Sequence, residues 1–187
     1  MSIDLIGIGN HRLIVNNVND FIHEIHIRLP HPLKFDKSID GQWCLMKDHV
    51  YPTIEVEWER VGSIKFRYDL TDIDLDLYCG IHAFYIRSGV SWEAFLRNKI
   101  LQDIIRENFY LISRSLFGSR MIYVPDSGGC HTSGFHDRIE DGMSLDRIEY
   151  LMLQTCGKPS STIGEILSMK SDACFFDGYF IDNFGSH

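Results

Sequence analysis

The stretch Ser91–Gly118, SWEAFLRNKILQDIIRENFYLISRSLFG, decides the expected architecture. Its apolar residues recur at gaps of three, four and one, which trace one broad face of an α-helix. They are Trp92, Phe95, Leu96, Ile100, Leu101, Ile104, Ile105, Phe109, Ile112 and Leu116. Ser91 is suited to the N-cap, and Gly118 to the left-handed residue that follows a helix. The pattern predicts one long central helix, about 38 Å in length, that covers a sheet.

The residues before this helix show the period-2 alternation of β-strands. In 53–59, 64–70 and 73–77, apolar side chains alternate with charged ones, and a glycine turn separates the first two runs. Such runs predict antiparallel hairpins with the charged side chains in solvent. A mostly apolar run from Cys79 to Arg87 follows, which is typical of a central strand buried on both faces. We therefore expect a four-stranded meander over Thr53–Arg87.

Shorter signals complete the predicted fold. The turn signal Gly9-Asn10 lies between two apolar runs and predicts an N-terminal hairpin. After the long helix, Met121–Val124 is apolar without alternation, so we expect an interior strand and a strand–helix–strand crossover. Ser144 and Thr162 are suited to cap two further helices.

Length and composition agree with a single α+β domain over residues 1–187. The chain has 187 residues, 44% hydrophobic and 24% charged, and a chain of this size can bury a core without disulfides. We expect an antiparallel-rich sheet packed against the long central helix, with smaller helices toward the C-terminus.

Charge and cysteine content narrow the classes of partner. The net charge is −8, from 26 acidic and 18 basic residues, which disfavours nucleic acid and anionic membrane surfaces and suits a cationic partner. No apolar run approaches the about 18 residues of a membrane span, and we see no secretory signal. The five cysteines are widely spaced and odd in number. Free thiols in a reducing cytoplasm are therefore expected.

The segment 126–141 is the candidate for chemistry, because it is glycine-rich, lacks periodicity and follows the expected interior strand. Its candidate catalytic residues are Asp126, Ser127, His131, His136 and Asp137. Cys130, His131 and His136 could bind zinc, since thiolate and imidazole are its preferred ligands. A small metal-dependent enzyme or hydrolase is therefore one hypothesis. The other is a surface loop whose aspartates and serines cap turns.

Two carboxylate rows on strand faces form the second candidate site. They are Glu55, Glu57 and Glu59 in one row and Asp72, Asp74 and Asp76 in the other. The aspartates do not fit a calcium loop, because Leu77 stands where that loop needs glycine. Only Lys65 and Arg67 are placed to neutralise the rows locally. The rows are either a solvated face or a surface that steers a cationic partner.

The acidic balance favours a binding protein over an enzyme. We expect an acidic cytoplasmic protein-binding module, of the inhibitor or immunity type, that presents its carboxylate rows to a basic protein partner such as a nuclease. No cofactor is expected, apart from the zinc of the enzyme hypothesis.

Overall fold

The computed structural model describes residues 3–13, 20, 24, 27–28, 64–70, 73–126, 132, 134–169 and 177–185, and for 64–70, 73–74 and 140 the backbone only. The strands are β1 Asp4–Asn10, β2 Ile64–Leu70, β3 Ile73–Cys79, β4 Ala83–Ser91, β5 Arg120–Pro125 and β6 Phe180–Asn183. The helices are α1 Trp92–Arg97, α2 Lys99–Ser115, α3 Asp137–Glu140, α4 Leu145–Cys156 and α5 Ile163–Ser168.

The described strands form one antiparallel sheet in the order β2-β3-β4-β1-β5-β6. Because β4 and β5 each pair antiparallel with β1, they run parallel to each other, and α1 and α2 connect them. The expected strand–helix–strand crossover is present, with β1 inserted between its two strands. The α+β class and the antiparallel-rich sheet are therefore confirmed.

The predicted N-terminal hairpin is wrong. Gly9 and Asn10 belong to β1, where they lie opposite Phe84 and Ala83 of β4. On its other edge β1 pairs with β5 over Leu5–Gly9. A strand paired along both edges has no free edge for a hairpin partner, so the turn signal was overridden by tertiary pairing.

The predicted long helix is two helices. Asn98 interrupts it with an extended backbone (φ −111°, ψ 105°). Its side chain accepts a hydrogen bond from the Leu101 N–H at 3.2 Å, and its own N–H donates to the Ala94 carbonyl at 3.0 Å. Asparagine side chains compete for backbone groups in this way, which is why they favour helix caps over helix interiors. The expected N-cap is confirmed, since the Ser91 hydroxyl accepts from the Ala94 N–H.

The end of α2 also differs from the prediction. Phe117, and not Gly118, takes the left-handed conformation, with φ 59°. The Gly118 N–H donates to the Ser113 carbonyl at 2.7 Å. A side chain at Gly118 would meet Ser113 and the carbonyl oxygen of Asn10. Glycine is therefore required here by close packing, not by a left-handed backbone.

The sheet is covered by helices on both faces. We call the face packed against α1, α2 and α5 the first face, and the face packed against α3 and α4 the second face. Several aromatic side chains are buried in the first face, where Tyr123 stacks on Phe180 with ring centroids 4.4 Å apart. The second-face core includes Ile6, Ile8, Tyr78, Tyr85, Ile122, Val124, Ile139, Leu145, Ile148 and Met152. The helix prediction had placed one helix over one face.

The described part of the predicted meander is confirmed. β2, β3 and β4 follow one another as antiparallel neighbours, but β4 begins at Ala83, after a turn at 80–82, and not at Cys79. The first predicted strand, 53–59, lies outside the described residues. Two predicted caps are present, since Ser144 and Thr162 accept hydrogen bonds from N–H groups in the first turns of α4 and α5.

Burial along α2 predicts which of its residues stabilise the fold. Phe109 is 0% exposed and belongs to the first-face core, whereas Ile104, on the predicted apolar face, is 43% exposed. We expect Phe109→Ala to lower the free energy of unfolding by about 3–5 kcal/mol, because it leaves a cavity. Ile104→Ala should change it by less than about 0.5 kcal/mol. Urea denaturation of both variants measures this, and equal losses would contradict the assignment of faces.

His11 links the end of β1 to the turn between β3 and β4. Its Nε2 lies 2.8 Å from the Gly80 carbonyl oxygen, and its Nδ1 accepts from the Leu13 N–H at 3.3 Å. Since a carbonyl can only accept, Nε2 carries the proton and the neutral ring satisfies both contacts. Burial lowers the pKa of His11, the Gly80 hydrogen bond opposes this shift, and the nearby His82 adds to it.

This geometry predicts that acid destabilises the fold through His11. The pKa of His11 is lower in the folded than in the unfolded chain, whose value is about 6.5. The unfolded chain therefore takes up a proton first, and the contribution of His11 to stability, complete above about pH 6.5, is lost as the pH falls below it. Between about pH 7.5 and about pH 5, the urea midpoint should fall less in His11→Gln than in wild type. The same acid sensitivity in His11→Gln and in wild type would refute the prediction.

Candidate functional site

Side chains from three strands meet at one end of the second face. Asp4 begins β1, Arg87 lies in β4, and Asp126 directly follows β5. The Asp126 N–H donates to the Asp4 carbonyl at 2.8 Å and so extends the strand pairing by one step. Each of the three side chains lies two positions from a residue of the second-face core. Because side chains alternate along a strand, all three belong to this face.

A β-bulge shapes this end of the sheet. The pairing register shifts between Asp4 and Ile6, so that β4 carries extra residues there. Ser88, in the bulge, is buried, and its hydroxyl donates to the Leu5 carbonyl at 3.3 Å. Bulges bend a strand and re-aim side chains near functional sites. Here the bulge accompanies the approach of Arg87 to the aspartates of the neighbouring strands.

Arg87 bridges two carboxylates. Its Nη2 lies 3.1 Å from Asp4 Oδ2 and 2.9 Å from Asp126 Oδ2. Partial burial disfavours the Arg87 cation, but the charges of Asp126 and Asp4 outweigh this effect and raise its pKa. The side chain of Arg87 is still 48% exposed, and that of Asp126 is 14% exposed. The ion pairs therefore join a largely buried carboxylate to a cation at the surface.

His136 lies between two carboxylates. Its Nε2 is 3.3 Å from Asp126 Oδ1 and 3.2 Å from Asp137 Oδ1. The His136 side chain is 11% exposed, whereas that of Asp137 is 70% exposed. On its other side the ring packs edge-on against Tyr85 of β4, with centroids 5.0 Å apart. The imidazole is thus fixed by the sheet while its Nε2 points toward the acidic groups.

The second ring nitrogen of His136 limits the chemistry of the ring. Nδ1 is buried and makes no hydrogen bond with the residues that the structure describes. With Nε2 directed at two carboxylates and Nδ1 away from solvent, the ring does not offer a lone pair to an external substrate. This arrangement suits an electrostatic role better than general base catalysis.

Asp76, a member of the predicted aspartate row, lies at the same end of the sheet as Arg87. Asp76 lies directly opposite Arg87 of β4 and opposite Arg67 of β2. Directly opposed residues share one face of a sheet, so Asp76 joins the second face beside Arg87. We call Asp4, Asp76, Asp126 and Asp137, together with Arg87 and His136, the acidic face. The expectation that only Lys65 and Arg67 could neutralise the aspartate row is wrong, because Arg87 lies opposite Asp76 of that row.

The other residues of the two carboxylate rows are described only by their backbone or lie outside the described residues. The backbone of Asp74 lies opposite that of Asp69 in β2. Asp72, Glu55, Glu57 and Glu59 lie outside the described residues, so the predicted pairing of the two carboxylate rows stays a prediction.

The candidate loop is placed in part. Asp126, His136 and Asp137 come together, as the enzyme hypothesis required. Ser127, Cys130 and His131 lie outside the described residues, and with them most of the predicted zinc ligands. In the described ranges, no group of three histidine, cysteine, aspartate or glutamate side chains is arranged to hold a metal ion.

Sequence reasoning missed Asp4, Arg87 and Tyr85 as site residues. Asp4 and Arg87 each stand at the end of an apolar run, where a charge usually marks the end of a strand. A charge on an otherwise buried strand is the signal that could have drawn attention to them. The pairing order of the strands was still needed to bring the two together.

Comparisons with known proteins identify no relative of this chain. The chain matches no protein-family model, no curated protein and no solved structure. Among the helices of the described residues, none has the length and apolar character needed to cross a membrane. The function must therefore be argued from the acidic face itself.

Proposed function

We propose that this protein is an acidic protein-binding module, of the inhibitor or immunity type, that presents the acidic face to a basic protein partner such as a nuclease. The observation that carries the proposal is the convergence of carboxylates from β1, β3, the end of β5 and α3 at one end of the sheet. The net charge of −8 acts in the same direction. A cytoplasmic location belongs to the proposal, and the free thiols Cys79 and Cys156 agree with it.

The form of the acidic face suits recognition. Asp126 is largely buried and fixed, whereas Asp137 is exposed at the start of α3. The four aspartates of the acidic face outnumber Arg87 and Arg67, which both lie opposite Asp76, so the face retains a negative field. Such a field raises the rate of encounter with a cationic partner more than it raises affinity. The exposed carboxylate of Asp137 then offers an acceptor for an arginine or lysine side chain of the partner.

A charge-matched pair of variants tests the proposal. Asp76→Asn with Asp137→Asn removes two charges from the acidic face. Asp103→Asn with Glu107→Gln removes two charges from exposed positions of α2, on the other side of the sheet. Stopped-flow association with a fluorescent nona-arginine peptide should slow several-fold more in the first variant than in the second. The difference should shrink with salt, because the Debye length falls from about 10 Å at 0.1 M to about 3 Å at 1 M.

The variant on α2 distinguishes an effect of the acidic face from an effect of the net charge of the protein. If both variants slow association equally, the peptide responds only to net charge, and the acidic face has no special role. If neither variant changes the rate, the proposal is refuted. Thermal unfolding of both variants checks that each is folded; the exposed charges at Asp103, Glu107 and Asp137 contribute little to stability.

One observation favours the alternative, a small metal-dependent enzyme or hydrolase that uses the 126–141 loop. Three of the candidate catalytic residues come together at the end of an interior strand, where His136 Nε2 lies 3.3 Å from Asp126 and 3.2 Å from Asp137. Paired carboxylate and imidazole groups occur in many catalytic and zinc sites. The buried Nδ1 of His136 weighs against this alternative.

Elemental analysis separates the two functions. In protein purified without chelators, the binding-module proposal expects no stoichiometric zinc. A zinc content near one per chain that is lost in His136→Ala would favour the enzyme, because imidazole is a preferred zinc ligand. Asp103→Asn, at a surface position of α2, serves as the control for nonspecific metal uptake.

A further inference from the structure

The outer side of α2 carries apolar residues in addition to those that pack on the sheet. Ile100, Ile104 and Leu111 are 73%, 43% and 38% exposed. At about 100° per residue, these three positions lie within about 40° of one another around the helix axis. We call them the outer stripe. Single exposed apolar residues are ordinary, but a contiguous apolar patch marks a surface that a partner covers.

The spacing of the outer stripe suits packing against another helix. The gaps of four and seven residues between Ile100, Ile104 and Leu111 fit the apolar positions of a heptad, and Glu107 holds the place between the last two. α2 has 17 residues, which make about 25 Å of helix. A helix of this length offers a contact at the small end of specific interfaces, so we expect pairing through it to be weak and reversible.

Two charged residues beside the outer stripe are complementary to each other. Asp103 and Arg114 lie on the same flank of the stripe, within about 20° of each other around the helix axis. The Asp103 side chain is 59% exposed and pairs with Lys99. The Arg114 guanidinium lies 5.9 Å from the ring centroid of Tyr110, and among the described residues no carboxylate pairs with it. One flank thus has a carboxylate near one end and a cation without an ion pair near the other.

The apolar and charged residues are arranged symmetrically about the middle of α2. The midpoint of Ile104 and Leu111 and the midpoint of Asp103 and Arg114 both lie within one residue of Asn108. A twofold axis at this point sets Ile104 of one copy opposite Leu111 of the other, and Asp103 opposite Arg114, with each contact formed twice. A closed dimer requires a surface that is self-complementary in this way.

We infer that two copies of this chain associate as an antiparallel dimer through the outer side of α2. Ile104 and Leu111 form its apolar contacts, and Asp103 and Arg114 form its ion pairs. α2 packs on the first face of the sheet, whereas the acidic face belongs to the second. The dimer therefore leaves the acidic face open, and dimerisation is independent of the proposed binding of a basic partner.

Glu107 opposes this association and limits its strength. It is exposed on α2 and lies near the twofold axis, so the Glu107 carboxylates of the two copies approach each other. Like charges across an interface are unfavourable, and Glu107→Gln should therefore strengthen dimerisation about fivefold. Glu93→Gln, at an exposed position of α1, removes the same charge from the protein and should leave dimerisation nearly unchanged.

Sedimentation equilibrium of the full chain, from micromolar to millimolar concentration, measures the dissociation constant of the dimer. Ile104→Asn should weaken dimerisation about tenfold, because it places a polar group in the apolar contact. Leu153→Asn is the matched control, since Leu153 is 44% exposed but lies on α4, and it should have no effect. The unfolding of Ile104→Ala and the peptide kinetics refer to the monomer and are measured below this dissociation constant.

Reversal of the two charges tests the antiparallel pairing. Arg114→Asp and Asp103→Arg each replace two ion pairs by two like-charge contacts, and each should weaken dimerisation about tenfold. The double variant places opposite charges across the interface again and should recover most of the wild-type affinity. Far-UV circular dichroism checks that each variant is folded, and recovery in the double variant excludes misfolding as the cause of the single effects.

Three results would overturn the dimer. A wild-type chain that stays monomeric at all these concentrations would refute it, and so would equal weakening by Ile104→Asn and Leu153→Asn. If the double charge variant dimerises as weakly as the single variants, the antiparallel pairing is wrong. Failure of the nona-arginine peptide to bind the acidic face bears only on the proposed function, since α2 is not part of that face.

Discussion

The packing of both layers depends on two glycines of the central strand β1, Gly7 and Gly9, because an aromatic ring lies directly against the backbone at each. A side chain at Gly7 would overlap the ring of Phe109 from α2, and one at Gly9 would overlap the ring of Phe84. Because these glycines let both rings lie against the backbone, α2 can approach the sheet closely enough to bury its apolar face. The same two residues leave Ile6 and Ile8 on the opposite face, where they pack in the second core. One short strand thus sets the spacing of both layers.

The position of β1 also creates the acidic face. Inserted between β4 and β5, it places Arg87 on one side and Asp126 on the other, with its own Asp4 between them. The bulge between Asp4 and Ile6 falls at the same end of the sheet. Had β4 and β5 paired directly, Asp4 would not stand between the two side chains. The charged groups therefore meet because of strand order, while the residues themselves are far apart in sequence.

Local signals in the sequence predicted local structure well. Ser91, Ser144 and Thr162 cap helices because a hydroxyl that accepts from a nearby N–H involves residues a few positions apart. The alternation of apolar and charged residues predicted the meander because it, too, depends on neighbouring positions.

The break at Asn98 and the role of Gly9-Asn10 could not be predicted from local signals. Asn98 suits a helix surface as well as a cap, and Gly9-Asn10 suits a turn as well as a strand that must admit Phe84. Only packing against distant residues selects between these alternatives. The meeting of Asp126 with His136 and Asp137 was expected as a possibility of one loop, but Arg87 and Asp4 came from strands whose pairing no local pattern encodes.

Arg87 and His136 contact the same largely buried carboxylate, that of Asp126. Asp126 is largely buried, and a buried carboxylate requires nearby positive charge or hydrogen-bond donors. Arg87 meets that need permanently, because a guanidinium remains charged at any pH that the fold survives. Its role is therefore structural, and its raised pKa agrees with that. His136 contacts the same carboxylate from the other side, but an imidazole need not be charged. Asp126 therefore has a permanent cation beside it, and the His136 ring, packed against Tyr85, completes its surroundings. The acidic face thus keeps Asp126 in place through internal contacts, while Asp137, 70% exposed, stays accessible to a partner.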